Sequence, residues 1–308
     1  MLDEIFTASV FAATIRLATP YLFAALGEMY AQRSGLLNLG VDGIMLVGSF
    51  AGFYQVYQGG SLLEGVIAAM FVGALMGLAM AFISVTLKAE QGISGIGLYL
   101  FGLGMSELLF QSLLGTPRTV SGFPDIYIPG LSDIQFLGIG QIFFQHNLLV
   151  YVAFALVPIS AFILNKTPFG LNIRAVGQMP AAADAMGVSV SRVRYITSTI
   201  GGAMAGLAGA SLSIALIGAY QQNLTSGMGF IAVALVYFGA WRPYGVMAGA
   251  LLFSFVNALQ LQINVIGFDI PTEFTVMAPP IITILALVIT SKSKEKPTEL
   301  TKPFERGT

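Results

Sequence analysis

The sequence contains no cysteine, a single histidine and a single tryptophan, and charged side chains make up only 9% of its 308 residues. Without cysteine there is no disulfide, no thiolate nucleophile and no cysteine-bound zinc. His146 alone cannot build an imidazole metal site, so no metal site is expected. Soluble domains carry roughly 25% charged residues, so this chain has too few to cover a water-exposed surface. A formal net charge of −1 and the lack of a basic patch exclude nucleic acid as a partner. The six lysines follow Leu87, Asn165, Ser291, Ser293, Glu295 and Thr301. None follows glycine, so the chain has no phosphate-binding loop of the Gly-Lys type. The start Met1-Leu2-Asp3-Glu4 lacks the basic n-region of a signal peptide, so the first apolar stretch is expected to be retained.

What the chain does have is 56% hydrophobic residues and a mean hydropathy of +0.82. A transmembrane helix takes about 20 mostly apolar residues. Nine spans are expected, within a range of eight to ten: 8–31, 36–57, 63–87, 93–114, 147–165, 195–220, 228–241, 245–265 and 276–291. The fold class is therefore an all-α polytopic membrane protein. Span 228–241 is short enough to be re-entrant or broken. With an odd number of spans and the C-terminus inside, twelve of the fourteen Lys and Arg fall inside, only Arg118 falls outside, and Arg16 lies within the first span. This is the positive-inside pattern, and it puts the N-terminus outside.

Residues 1–291 read as one transmembrane domain, with an external loop at 115–146, an internal loop at 166–194, and a charged internal tail at 292–308 expected to be disordered. Glycines four apart (Gly48/Gly52, Gly73/Gly77, Gly202/Gly206, Gly245/Gly249) share helix faces. They serve close helix packing or act as hinges.

Two segments stand out. The first runs from Glu28 through Arg33-Ser34-Gly35-Leu36-Leu37-Asn38-Leu39-Gly40-Val41-Asp42-Gly43 to Leu46. Glu28 and Asp42 lie near the inner end of the first two spans, and Asn38 and Asp42 are spaced to share a helix face. Charges at membrane depth pair or line a cavity. These residues therefore either fix a corner between helices or contact solute at a gate. The second segment is the internal loop, whose centre is Pro180-Ala181-Ala182-Ala183-Asp184-Ala185-Met186-Gly187. Pro180 suits a first helical position and Gly187 a left-handed helix end. A helix this short is marginal in water and needs a surface to pack on.

These two segments resemble the permease subunits of bacterial ABC importers, in the family handling branched-chain amino acids, simple sugars and nucleosides. The Arg33–Gly43 run is most similar to the nucleoside and simple-sugar branch. The resemblance spans nearly the whole chain. It implies an importer half that pairs with a second permease subunit and inserts Pro180–Gly187 as a coupling helix into an ATP-binding subunit. An external solute-binding protein would deliver a nucleoside or sugar. ATP and Mg would be bound by the ATPase partner, and this chain would hold no cofactor and be no enzyme. The location implied is a bacterial or archaeal cell membrane. The family's loop carries an acidic residue where this chain has Ala181; Asp184 can supply a charge one turn later.

Arg16 lies about 12 Å and Glu107 about 10 Å below the outer edge at 1.5 Å per residue, which suggests a structural ion pair. Asn257, Gln260, Gln262 and Asn264 crowd the outer half of span eight, lining the pathway or joining helices. His146 is expected at the outer interface without a role, and Trp241, Arg242 and Tyr244 at the inner one. The competing reading is a secondary transporter or channel working alone, although midplane carboxylates for proton coupling are scarce.

Overall fold

A computed structural model of the protein describes residues 7–130, 132–133, 138–266, 277, 281, 288 and 296–305. Helix α1 (Ala8–Arg33) is buried almost continuously from Ala18 to Gln32, although it contains Pro20. Helix α2 (Val41–Tyr57) is buried along most of its length. Helix α3 (Leu62–Ala81) widens into a π turn at Phe82–Thr86. Helix α4 (Gln91–Leu113) is capped by Glu90, whose carboxylate accepts the Gly92 and Ile93 N–H groups. Those donors hold the exposed Glu90 carboxyl below the usual carboxylate range. Helix α6 (Leu148–Lys166) leads into two short helices, α7 (Pro168–Gln178) and α8 (Pro180–Ala185). Then come α9 (Val190–Ala210), ending in a π turn at Ser211–Leu216, a short α10 (Met228–Phe238), and α11 (Pro243–Ile266).

Helix α9 is the centre, touching α1, α2 and α3, while α6 and α11 pack on the far side of α1. Small residues make this approach possible. A Cβ on Gly73 would lie 2.3 Å from Gly202 O, one on Gly48 2.6 Å from Gly206 Cα, and one on Gly245 2.2 Å from Gly239 O. The glycine pairs thus act as backbone contact surfaces, where close van der Waals packing replaces the missing hydrophobic drive between helices in lipid.

Six of the described helices are long and apolar enough to span: Ala8–Arg33, Leu62–Thr86, Gln91–Leu113, Leu148–Lys166, Val190–Leu216 and Pro243–Ile266. Two of the nine expected spans are shorter than read, at 17 residues for α2 and 11 for α10. The chain is unwound before each. Gly35 takes φ +91° ahead of α2, and Asn223, Ser226 and Gly227 take φ +50°, +45° and +86° ahead of α10. Left-handed residues end a helix because a continuing helix cannot hold them. The expected span 276–291 lies outside the described residues save positions 277, 281 and 288.

The 115–146 segment contributes strands β1 (Arg118–Thr119) and β2 (Asp125–Tyr127), helix α5 (Ile139–Phe143) and strand β3 (Gln145–Asn147). Strand β1 pairs antiparallel with β4 (Ala219–Tyr220), and β2 with β3. His146 in β3 is 1% exposed and bonds the Ile142 carbonyl through Nε2 at 2.7 Å, so its ring is packed within this segment.

The tail also differs from expectation. Residues 296–305 lie folded against the chain: Glu299 N–H donates to Gly177 O and Thr301 N–H to Gly35 O, both at 3.1 Å, and Leu300 is buried. Composition alone reads this segment as disordered because its apolar content is low; a few well-placed backbone donors hold it instead.

Helix α3 begins with a reciprocal cap. Ser61 Oγ accepts the Glu64 N–H at 3.3 Å and Glu64 Oε2 accepts the Ser61 N–H at 3.1 Å. Ser61→Ala is expected to cost about 1 kcal/mol, read as a Tm lower by a few degrees in detergent, with assembly unaffected.

Candidate functional site

The unwound segment 34–40 and the α10–α11 turn meet at the end of the bundle that carries Arg33, Arg174, Arg194 and Arg242. Glu28 Oε1 accepts two hydrogen bonds at 3.0 Å, from Gln32 Nε2 and from the Asn38 N–H. Gln32 Oε1 accepts Trp241 Nε1 at 2.8 Å, and Arg33 Nε donates to Trp241 O at 2.9 Å. Trp241 is placed there by consecutive left-handed residues, Ala240 at φ +51° and itself at +56°. Leu37 N–H donates to Gln91 Oε1, and Asn38 Oδ1 accepts the Gly40 N–H, both at 2.8 Å. Asn38 is therefore in a turn, not on the face of α2, and the four-residue spacing to Asp42 does not align them.

Asp42 joins the two short helices. Its Oδ1 accepts the Gly229 N–H at 2.8 Å, and its Oδ2 accepts the Thr225 hydroxyl at 3.1 Å. Helix α10 starts at Gly227 with no side-chain cap of its own. A carboxylate from the first turn of α2 thus caps the first turn of α10. Two positive helix ends meet at one negative charge, an arrangement that low surrounding polarity strengthens. The approach requires glycine: a Cβ at Gly229 would lie 2.3 Å from Asp42 N.

Glu28, Asn38 and Asp42 are thus gathered into one region, at 2%, 5% and 0% exposure. Glu28 Oε1, Asn38 Oδ1 and both Asp42 oxygens accept the chain's own donors, the geometry of a corner that fixes helices to each other. Asn257 and Gln260 are not part of it. They are half-buried on α11, roughly 21 and 26 Å along the helix from its start at Pro243, at 1.5 Å per residue.

The Arg16–Glu107 pair does not form. Arg16 is exposed on α1, while Glu107 Oε1 accepts Gln111 Nε2 at 2.5 Å and also Gln222 Nε2. Helix α4 packs chiefly on α2, which separates it from α1. Matched depth fixes height along the bundle but not the side of it.

Helix α8 takes the expected form. Pro180 opens it, and the Gly187 N–H donates to Asp184 O at 2.9 Å while the Val188 N–H donates to Ala183 O at 3.0 Å. This is the double bond pattern of a left-handed glycine terminus, with Gly187 at φ +86°. Pro180 and Ala183 face inward; Ala181, Ala182 and Gly187 are exposed, Asp184 is half-buried, and Met179 and Met186 are 69% and 85% exposed. Ala183, within the segment that the resemblance makes a coupling helix, belongs to the chain's own core.

Sequence reasoning missed Thr225, Gly229, Gln32 and Arg194. Arg194 is 1% exposed, and it donates from Nε to Ser34 O at 3.2 Å and from Nη1 to Lys302 O at 3.1 Å. The available signal for α10 was the Thr225-Ser226-Gly227 run before a short apolar stretch, which reads as a cap. It does not say that the capping group arrives from 185 residues away in sequence.

A bundle of long apolar helices, in which the 17-residue α2 meets the 11-residue α10 at Asp42, defines a polytopic transporter-type membrane protein. Residues 10–287 match the family described as "Branched-chain amino acid transport system / permease component", and the chain belongs to that family. It is 38% identical over 287 residues to the guanosine ABC transporter permease protein NupQ of Bacillus subtilis, covering 89% of both chains. It is 39% identical over 259 residues to a putative glucose ABC transporter permease protein, TsgC13, of Haloferax volcanii, covering 83% of this chain and 78% of that one. It is 32% identical over 284 residues to the nucleoside ABC transporter permease protein NupC of Lactococcus lactis, covering 88% and 89%. No solved structure matches. The chain is thus an integral-membrane translocation subunit of an ABC importer, not itself an enzyme, working with separate ATPase and substrate-binding subunits.

Proposed function

We propose that this chain forms half of the translocation pathway for a nucleoside, or failing that a simple sugar. It pairs with a second permease subunit or a second copy, and it docks on the ATPase through α8. The nucleoside choice rests on the guanosine and nucleoside permeases among its relatives. The docking reading is carried by one observation: α8 is rigidly terminated yet presents Met179, Ala182 and Met186 outward, an exposed apolar ridge. Its bundle end collects Arg33, Arg174, Arg194 and Arg242, which supports a cytoplasmic placement of that end and of the C-terminal tail. ATP and Mg belong to the partner.

The test is reconstitution with the ATPase and binding protein in liposomes, following labelled guanosine, uridine and ribose. Uptake is expected only with all subunits and ATP. Ala182→Trp should abolish ATPase co-purification while leaving the Tm of the isolated chain within a degree or two, because Ala182 is exposed. Ala183→Trp should lower that Tm instead, since overpacking a core costs about 1–3 kcal/mol. Concentrative uptake by the chain alone on a proton or sodium gradient would replace this reading with a secondary transporter.

A further inference from the structure

Helix α4 leaves one side uncovered along its whole length. It is the least buried of the six long apolar helices, and among the helices it packs chiefly on α2. Ile93, Gly97, Leu100, Gly104, Glu107 and Gln111 are spaced alternately four and three apart, so they form one stripe. Ile93 and Leu100 are 74% and 58% exposed, and a Cβ on Gly97 or Gly104 would meet nothing within 4 Å. A purely apolar stripe could face lipid. This one ends in a carboxylate and a carboxamide, and a carboxylate within a span faces protein or a water-filled cavity.

The polar end of the stripe is built. Glu107 Oε1 accepts from Gln111 Nε2, one turn on, and from Gln222 Nε2, which comes from the segment after β4. That segment is not loose. Strand β4 pairs with β1, and the Tyr220 ring, 0% exposed, is clamped by Phe50 at 5.2 Å, Phe110 at 5.8 Å and Phe53 at 6.0 Å. Phe110 lies on α4 itself, so the clamp holds Gln222 against Glu107. Both amides bind the same carboxylate oxygen, which leaves Oε2 and two amide oxygens as acceptors in a fixed arrangement.

We propose that α4 lines the solute pathway and that Glu107, Gln111 and Gln222 form a binding station for vicinal hydroxyl groups, as on ribose. Three preset acceptors match hydroxyl donors, and the carboxylate makes the strongest of these bonds. The station rests on the functional reading above and adds the residues that contact solute.

The test uses the full complex in liposomes at saturating loaded binding protein, with Gln222→Leu and Glu107→Gln. Gln222→Leu alters no helix and leaves Glu107 in place, so it reports on the station if Glu107→Gln folds poorly. Guanosine uptake by Gln222→Leu should fall about tenfold, the size of one such hydrogen bond. The loss should follow the hydroxyls, so that uptake of 2′,3′-dideoxyguanosine falls by a smaller factor than uptake of guanosine. Labelled ribose run in parallel separates a free sugar from a nucleoside as the source of the hydroxyls. Unchanged guanosine uptake in Gln222→Leu, or an equal loss for guanosine and its dideoxy analogue, would overturn the station while leaving the importer intact. No uptake of any of these solutes by the unaltered complex would remove the importer reading and the station together.

Discussion

Asp42→Ala is expected to destabilise the chain by about 2–5 kcal/mol, because two buried donors lose their acceptor at about 1–3 kcal/mol each. The substitution leaves the Gly229 N–H and the Thr225 hydroxyl without their acceptors, and it uncaps α10, which has no side-chain cap of its own. It also leaves two helix N-termini facing each other without the intervening charge. Asp42→Asn keeps one acceptor for Gly229, and the Thr225 hydroxyl can rotate to accept from the new amide. The Tm in detergent and the folded yield should therefore rank Asp above Asn above Ala. The gap between Asn and Asp measures what the charge adds to the hydrogen bonds. A chain with Ala at 42 that melts with the unaltered protein would show that the two short helices are held by packing alone.

Deleting residues 296–308 should have the next largest effect. The tail donates from Glu299 N–H to Gly177 O and from Thr301 N–H to Gly35 O, and Thr298 Oγ1 donates to Gln178 Oε1 at 2.7 Å. It also accepts from Arg194 at Lys302 O, so the same guanidinium ties the tail to Ser34. Removal strips a partner from a buried cation and from carbonyls at the end of α7 and at the α1–α2 corner. About 2–4 kcal/mol is expected from bonds of these kinds. ATPase co-purification should fall as well, because Gly177 and Gln178 lead directly into α8. Unchanged melting and unchanged ATPase binding in the truncated chain would make the tail a passenger. Further along, Lys88 Nζ meets Glu305 Oε1 at 2.7 Å, and the lysine holds the Glu305 carboxyl below the usual carboxylate range. The contribution of that exposed pair is therefore present at neutral pH and disappears as pH falls through the lowered value.

Much of the site was legible in the run from Glu28 to Leu46. A cluster of charges and glycines at the end of an apolar span has few physical uses, and the corner between helices was one of the two foreseen. Pro180 and Gly187 announced α8 because each residue type has a narrow backbone role at a helix end. The Arg16–Glu107 pairing failed for the opposite reason. Opposite charge and equal depth are properties of single helices, whereas an ion pair depends on which helices are neighbours.

The same division holds for the whole chain. Membrane residence, the order of apolar segments, the absence of a Gly-Lys phosphate-binding loop and the short helix at Pro180–Ala185 follow from composition and local pattern, because hydrophobic length and backbone preference act over a few residues. The family resemblance also rests on local runs. Only the tertiary structure decided that Asp42 of α2 caps the short α10, that Ala183 faces inward, that the tail is strapped to Gly35 and Gly177, and that Glu107 belongs to Gln222. Each of these joins residues far apart in sequence, and distance in sequence carries no information on contact until packing has chosen the neighbours.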